Sequence, residues 1–362
     1  VDNILLLAQA LLIGFSLLGV ASAAPEMLAR HLLTLAVATA GTIVFALIPP
    51  RWIISAAKWL FFAGILALLL VLLVGSGPSG YEVKRWLRYG SLSFQPSEFM
   101  KIALVAYLAS FFSRRGVDYP IIGPVLAIGF AAGLIAIEPD LGTALFLVLL
   151  ATFILVIIGV PLRRLLAIGM LVFVVLASFN GAFLEKHKYI EKRYIAWKYI
   201  NLDPHLLDDM GKEKAKEIVD KARQSQHSRL ILRASGPLGH GPSAPWPTTL
   251  PEAHNDMIFT TITYASGWFG ALMLLLAYGV IFARGLQIAT RSTGAVSVMA
   301  LGLTGYLTGQ ALMNITVATG VLPVTGISLP LVSTGGSSLL IAAVALGLLH
   351  ATSRQALAKE AP

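Results

Sequence analysis

Long apolar runs alternate with short polar breaks along most of the chain, and each run approaches the roughly 20 residues a helix needs to cross a bilayer. Ten runs qualify or nearly so: Ile4–Ala24, Leu32–Ile48, Ile53–Val74, Ser97–Phe112, Pro120–Ile137, Leu141–Ile158, Leu165–Phe183, Met257–Phe282, Ala295–Thr319 and Pro330–Leu349. The pattern predicts an all-α polytopic membrane protein of ten transmembrane helices. It forms a single membrane domain over residues 1–362, with residues 184–256 as one long polar loop between helices 7 and 8. The first run has no basic stretch before it and reads as a span, not a cleaved signal. No fixed-period repeat is visible.

Composition agrees with this. Only 12% of residues are charged and 57% are hydrophobic, where a soluble domain carries about 25% charged residues. Orientation follows from Lys and Arg in the short loops. With the N-terminus in the cytoplasm, the inside segments hold Arg51, Lys58, Arg114, Arg115, Arg163, Arg164, Arg284, Arg291, Arg354 and Lys359, and the outside short loops hold Arg30, Lys84, Arg85 and Arg88. Both termini are then cytoplasmic and residues 184–256 extracytoplasmic. The net charge of +9 reads as membrane anchoring, not nucleic-acid binding. The chain has no Cys, which excludes disulfides, thiolate metal sites and Cys nucleophiles.

Three of the four outside exceptions, Lys84, Arg85 and Arg88, fall in one loop beside Trp86 and Tyr89. They are either headgroup anchors or an anion site, and this feature alone leaves both open. Pro96 suits the first turn of a helix, with Glu98 in that turn and Lys101 three residues on along the same face. An internal ion pair and a cavity lining are both compatible with that spacing. Asp140 reads as an N-cap for the sixth span. In the long loop, Asp203 to Arg233 is amphipathic and predicts one or two surface helices, whereas Ser235 to Pro251 is too rich in Pro, Gly and Ser for regular structure.

That loop ends in Glu252, His254 and Asp256, directly before apolar chain resumes. A carboxylate at the entry to a membrane helix is expensive unless something uses it. Near the C-terminus, Gly320 to Gly326 and Ser333 to Ser338 break helix at membrane depth, which is tolerated only in protein-buried or cavity-lining backbone. In the predicted topology four helix starts share the outer face: Gln95–Lys101, Pro139–Gly142, Asp256 and Thr334–Ser338. Helix N-termini carry partial positive charge, so together with Lys84, Arg85 and Arg88 they suit a diphosphate, with Asp256 as the candidate general base. Gly335 to Ser338 offer N–H groups for the same anion.

At these residues the chain resembles the SEDS family (shape, elongation, division and sporulation). The resemblance rests on Lys84-Arg85-Trp86-Leu87, on Gln95-Pro96-Ser97-Glu98 with Lys101, on Pro139-Asp140-Leu141-Gly142-Thr143-Ala144, on the loop end Leu250 to Phe259, and on Asn314 to Ser338. It covers essentially the whole chain and looks more like the elongation-type members than the division-type ones. It implies a ten-helix fold and a peptidoglycan glycosyltransferase of the bacterial cytoplasmic membrane. The substrate would be lipid II, polymerised with inversion as undecaprenyl diphosphate leaves. The family's essential aspartate maps to Asp256. Glu98, Lys101, Ser337 and Ser338, with Lys84, Arg85 and Arg88, become candidate substrate-site residues.

Two departures stand out. Where the family often has acids eight and nine residues after its aspartate, this chain has Tyr264 and Ala265, and Thr334 replaces an aromatic. No metal ligand set is assigned, and the resemblance allows at most a divalent cation (Mg or Mn) bridging the diphosphate. It also implies a partner, a class B penicillin-binding protein, for which the small residues Gly302, Gly305 and Gly309 offer a docking stripe. Rival readings are a lipid II flippase and a scaffold. Neither needs a general base.

Overall fold

The computed structural model describes residues 2–77, 84–90, 92–166, 169, 188–202, 205 and 212–360. It contains helices α1 (Asn3–Ala23), α2 (Leu28–Leu47), α3 (Pro50–Val74), α4 (Pro96–Arg115), α5 (Ile122–Ile137), α6 (Leu141–Ile157), α7 (Lys188–Asn201), α8 (Lys212–Ala234), α9 (Ile258–Arg291), α10 (Gly294–Ala318) and α11 (Gly336–Glu360). One short hairpin, β1 (Leu87–Tyr89) and β2 (Leu92–Phe94), precedes α4. Among the described residues six helices are long and apolar enough to cross a membrane. The fourth to sixth predicted spans are also helical, α4 carrying buried charges and α5 and α6 being shorter. The seventh predicted span, Leu165–Phe183, lies almost wholly outside the described residues.

Helix α10 is the axis of the bundle, packed against α9, α4, α6 and α11. Most of its residues are apolar or small, and its buried amides Gln310 and Asn314 are hydrogen-bonded within the protein, so no face requires solvent. The glycine stripe expected to receive a partner is used in part internally. A Cβ at Gly302 would lie 2.5 Å from Val105, one at Gly305 2.6 Å from Phe153, and one at Gly309 3.4 Å from Phe146. Gly302 and Gly305 therefore let α4 and α6 approach the axis, while Gly305 and the partly exposed Gly309 also line an apolar cavity between α6, α9 and α10. At the end opposite the candidate site, Asp2 caps α1, accepting from the N–H groups of Ile4 and Leu5. It also takes Arg284 Nε of α9 at 2.8 Å and Ser353 Oγ of α11 at 2.7 Å.

Three elements differ from expectation. Helix α7 precedes the amphipathic stretch read from the sequence, and α8 covers most of it. The two pack on each other through Ala196, Ile218 and Ala222, with Lys192 paired to Glu217 at 2.6 Å. Helix α11 begins at Gly336 instead of Pro330, because Leu329 to Thr334 form an irregular turn in which Leu331 has φ +63.

The third difference is a break inside α9. Gly267 has φ 73 and ψ −178, a conformation open essentially only to glycine. A break strands two carbonyls and two N–H groups, and in apolar surroundings each needs a partner. The segment 236–241 supplies all four. His240 N–H donates to Tyr264 O at 3.0 Å and Gly241 N–H to Ala265 O at 2.9 Å. Trp268 N–H donates to Gly236 O at 3.0 Å and Phe269 N–H to Pro237 O at 3.1 Å. The approach is so close that a Cβ on Gly239 would lie 2.4 Å from Gly267 N. Part of the polar loop thus becomes a plug for a membrane helix. Gly267→Ala is expected to lower stability by roughly 2–4 kcal/mol, from the strained φ together with the clash. Gly129→Ala, where nothing lies within 4 Å of the added methyl, is expected to be neutral or stabilising. Thermal unfolding of both in one detergent checks this.

Candidate active site

Three of the helix starts singled out in the sequence are linked directly. Gln95, the N-cap of α4, donates through Nε2 to Asp140 Oδ2 at 3.3 Å, and its N–H donates to Ser337 Oγ at 3.1 Å. Asp140 caps α6 through Oδ1 on Thr143 N–H at 3.3 Å. Ser337, in the first turn of α11, donates to Ser93 O at 2.7 Å, so this hydroxyl staples the hairpin to the helix start. The turn Thr325–Gly326 lies between α6 and Asp256. A Cβ on Gly142 would sit 2.6 Å from Thr325 O, and one on Gly326 would sit 3.6 Å from Asp256 Oδ2.

Asp256 lies in the turn immediately before α9. The residue is partly exposed, but its Oδ1 is enclosed and has no hydrogen-bond partner. Burial, then the charges of Glu252 and Asp140, push its pKa up to about 7 against the opposing pull of Arg193 and Arg85. The enclosure is that of the Oδ1 oxygen, while the residue as a whole keeps partial exposure. Glu138 is a second raised carboxyl, pushed up to about 9 by burial and by Asp140, with Arg85 opposing. Both its oxygens are buried and unpartnered, so it is neutral near pH 7. The sequence reading passed over it, since nothing in its spacing distinguishes it from a turn residue.

The basic residues separate. Arg85 is half-buried and donates to the carbonyls of Glu138 (3.1 Å) and Pro139, which pins the hairpin arm to the α5–α6 turn. Lys84 and Arg88 are exposed, with Lys84 Nζ on Leu73 O at 3.1 Å. The loop helices also reach the site. Arg193 of α7 donates to Val324 O at 3.1 Å, Trp197 to Gly320 and Val321 O, and Arg229 of α8 to Gly320 O. They hold the segment that ends in Thr325 and Gly326.

Glu98 and Lys101 are 5% and 0% exposed. Lys101 Nζ contacts Glu98 Oε1 and Gln310 Oε1, both at 2.7 Å, and lies 5.4 Å and 5.5 Å from the ring centroids of Phe146 and Tyr306. Gln310 continues the chain to Ser328 O at 3.1 Å, and Ser328 hydrogen-bonds Ser338. The pair organises α4, α10 and the start of α11 beneath the site. His254 contributes its backbone carbonyl, which Thr334 engages through N–H at 3.2 Å and Oγ1 at 3.1 Å. Among the described residues no group of three or more His, Asp or Glu side chains is placed to hold a metal ion.

The pair makes a testable prediction. Lys101→Met leaves Glu98 buried without its cation and is expected to cost about 3–5 kcal/mol. Glu98→Gln combined with Lys101→Met is expected to recover part of that loss. A double-mutant cycle by thermal unfolding measures the coupling, and a double variant no more stable than Lys101→Met counts against the pair.

A family model described as "Cell cycle protein", grouping FtsW, RodA and SpoVE, matches residues 4–357. Peptidoglycan glycosyltransferase MrdB of Escherichia coli (strain K12) is 33% identical over 374 residues, covering 99% of this chain and 95% of that protein. A chain solved in a study of the structural coordination of polymerization and crosslinking by a peptidoglycan synthase complex aligns with a TM-score of 0.77 at 26% identity, covering 98% of each chain. Rod shape determining protein RodA of Thermus thermophilus aligns with a TM-score of 0.68 at 25% identity, covering 98% of this chain and 97% of that one. With its motifs gathered at one end of the bundle and its relatives matched end to end, the chain belongs to the SEDS family of FtsW, RodA and SpoVE, and is a multi-pass membrane protein.

Proposed function

We propose that this protein is a peptidoglycan glycosyltransferase that polymerises lipid II at the outer face of the bacterial cytoplasmic membrane during elongation, with Asp256 as its general base. The carrying observation is the Asp256 carboxyl itself, with one oxygen enclosed and unpartnered and a pKa pushed up to about 7. A base near the working pH combines a useful ionised fraction with real proton affinity. The names of the relatives support the same reaction.

In this reading the acceptor sugar hydroxyl approaches Asp256. The hydroxyl oxygen forms a bond to the anomeric carbon of the donor from the face opposite the leaving group. The bond from that carbon to the diphosphate oxygen breaks, and its electron pair departs with the undecaprenyl diphosphate. The hydroxyl proton passes to Asp256. Lys84 and Arg88, exposed at the rim, meet the diphosphate, whereas Arg85, Ser337 and Ser338 shape the wall through the bonds described above. Glu98 and Lys101 support that wall from below. Residues 184–256 form the extracytoplasmic loop of one membrane domain, and a class B penicillin-binding protein docks against its membrane helices, where Gly305 and Gly309 line an apolar cavity. Flipping alone gives no role to a base poised in this way.

Asp256→Asn keeps the shape and cannot accept the proton, so polymerisation of lipid II by the purified chain with its partner is expected to fall by about 10²-fold or more. Parent-like glycan synthesis at equal protein sinks the assignment. The stability prediction has the opposite sign. A carboxyl whose pKa rises from 3.8 to about 7 on folding favours the protonated form in the folded state. Its ionisation therefore removes stability as pH climbs through that window. Asn carries no such penalty, so Asp256→Asn is expected to melt higher than the parent at about pH 8, with a smaller gap at about pH 5.

A further inference from the structure

The turn that presents Asp256 is closed by its own backbone bonds, Asn255 and Met257 N–H both donating to Glu252 O at 3.0 Å, and is clamped from outside as well. Ala253 O accepts Thr261 Oγ1 at 2.7 Å. The next three carbonyls in succession accept from two other parts of the fold. His254 O takes Thr334, Asn255 O takes Ser333 Oγ at 2.8 Å, and Asp256 O takes Asn314 Nδ2 at 2.9 Å. Asn314 is 0% exposed and on the axial helix α10, and the same Nδ2 donates to Ile327 O at 2.7 Å. One amide therefore joins the peptide of Asp256 to the strand-like segment that follows Thr325 and Gly326, the backbone facing the Asp256 carboxylate.

We propose that Asn314 is a positioning residue for the glycosyl transfer. Its amide sets the distance between the Asp256 carboxylate and the Thr325–Ile327 backbone, with Ser333 and Thr334 as auxiliary clamps on the same turn. The inference rests on Asp256 being the base. Two hydrogen bonds from one nitrogen fix two backbones at once, which a catalytic group needs if it is to be held to within about 0.5 Å. An orphaned carbonyl in this setting also draws in water, which would reach the enclosed Oδ1. The charged groups acting on Asp256 are Glu252 on its own turn, Asp140 from the start of α6, Arg85 from the hairpin arm and Arg193 from α7. None is altered by a change at Asn314.

The experiment compares Asn314→Ala, Thr334→Val and Asp256→Asn with the parent, as full chains with the partner transpeptidase, on lipid II. For Asn314→Ala the expected result is a kcat lowered by about 10²-fold with KM within about twofold, since the reacting groups are misplaced and not unbound. The acid limb of its pH–kcat profile is expected to move to lower pH as water reaches Oδ1 and the Asp256 pKa drops back. Thr334→Val keeps its N–H on His254 O and is expected to shift both readouts in the same direction by less. A loss of fold alone would lower the amount of active enzyme and leave the limb where it was. If Asn314→Ala does not accumulate, Ser333→Ala combined with Thr334→Val reads the same limb. A parent-like kcat and limb in Asn314→Ala or that double variant, with Asp256→Asn inactive, overturns the positioning role and leaves the base intact. An active Asp256→Asn instead removes the base, and with it this inference.

Discussion

Peptide groups stranded in apolar surroundings must find partners within the protein, and the irregular parts of this molecule depend on that constraint. Regular helices meet it alone. The chain departs from helix where it needs shape, at Gly267, at 320–334 and at the 251–257 turn, and each departure is answered by specific donors. Segment 236–241 answers the break in α9, Asn314 and Ser333 answer the Asp256 turn, and Trp197, Arg193 and Arg229 answer the 320–324 carbonyls. The site is the place where several such repairs meet.

Charge follows the same economy. Lys101 and Glu98 lie in the interior because each satisfies the other, with Gln310 and two aromatic faces completing the shell of the cation. Asp256 and Glu138 are treated differently, each retaining enclosed oxygens without partners. Glu98 and Lys101 are paired inside the bundle, whereas the unpartnered carboxyl oxygens lie at the end that carries Asp256. Among the described residues the strongly raised carboxyls, Glu138 and Asp256, both sit at that end.

Much of this was legible from the chain. Apolar run length located nine helices, Pro96 and Asp140 marked helix starts, and the three-residue spacing of Glu98 and Lys101 foretold their contact, because all of these are local patterns. The convergence at Asp256 was legible in outline from alternating topology. What was not legible involves partners distant in sequence. Asn314 looks like one more polar residue in a helix until Asp256 and Ile327 are brought to its amide. Gly267 looks like an ordinary helix glycine until Gly239 is laid against it. Arg85 shows no sign in the sequence of its Nε and Nη2 bonds to the Glu138 and Pro139 carbonyls. The hairpin was missed because its two three-residue strands are too short to show an alternation.

The plug in α9 also bears on biosynthesis. The groups that seal the break, at residues 236–241, leave the ribosome before the helix they complete. When Tyr264 to Phe269 enter the bilayer, the backbone that pairs with them is already outside the ribosome and tethered close by. The break can therefore be closed as it forms, without waiting for α10 or α11. A helix interrupted by a residue made later would have to sit in lipid with four open peptide groups. The order of the chain spares the nascent protein that intermediate.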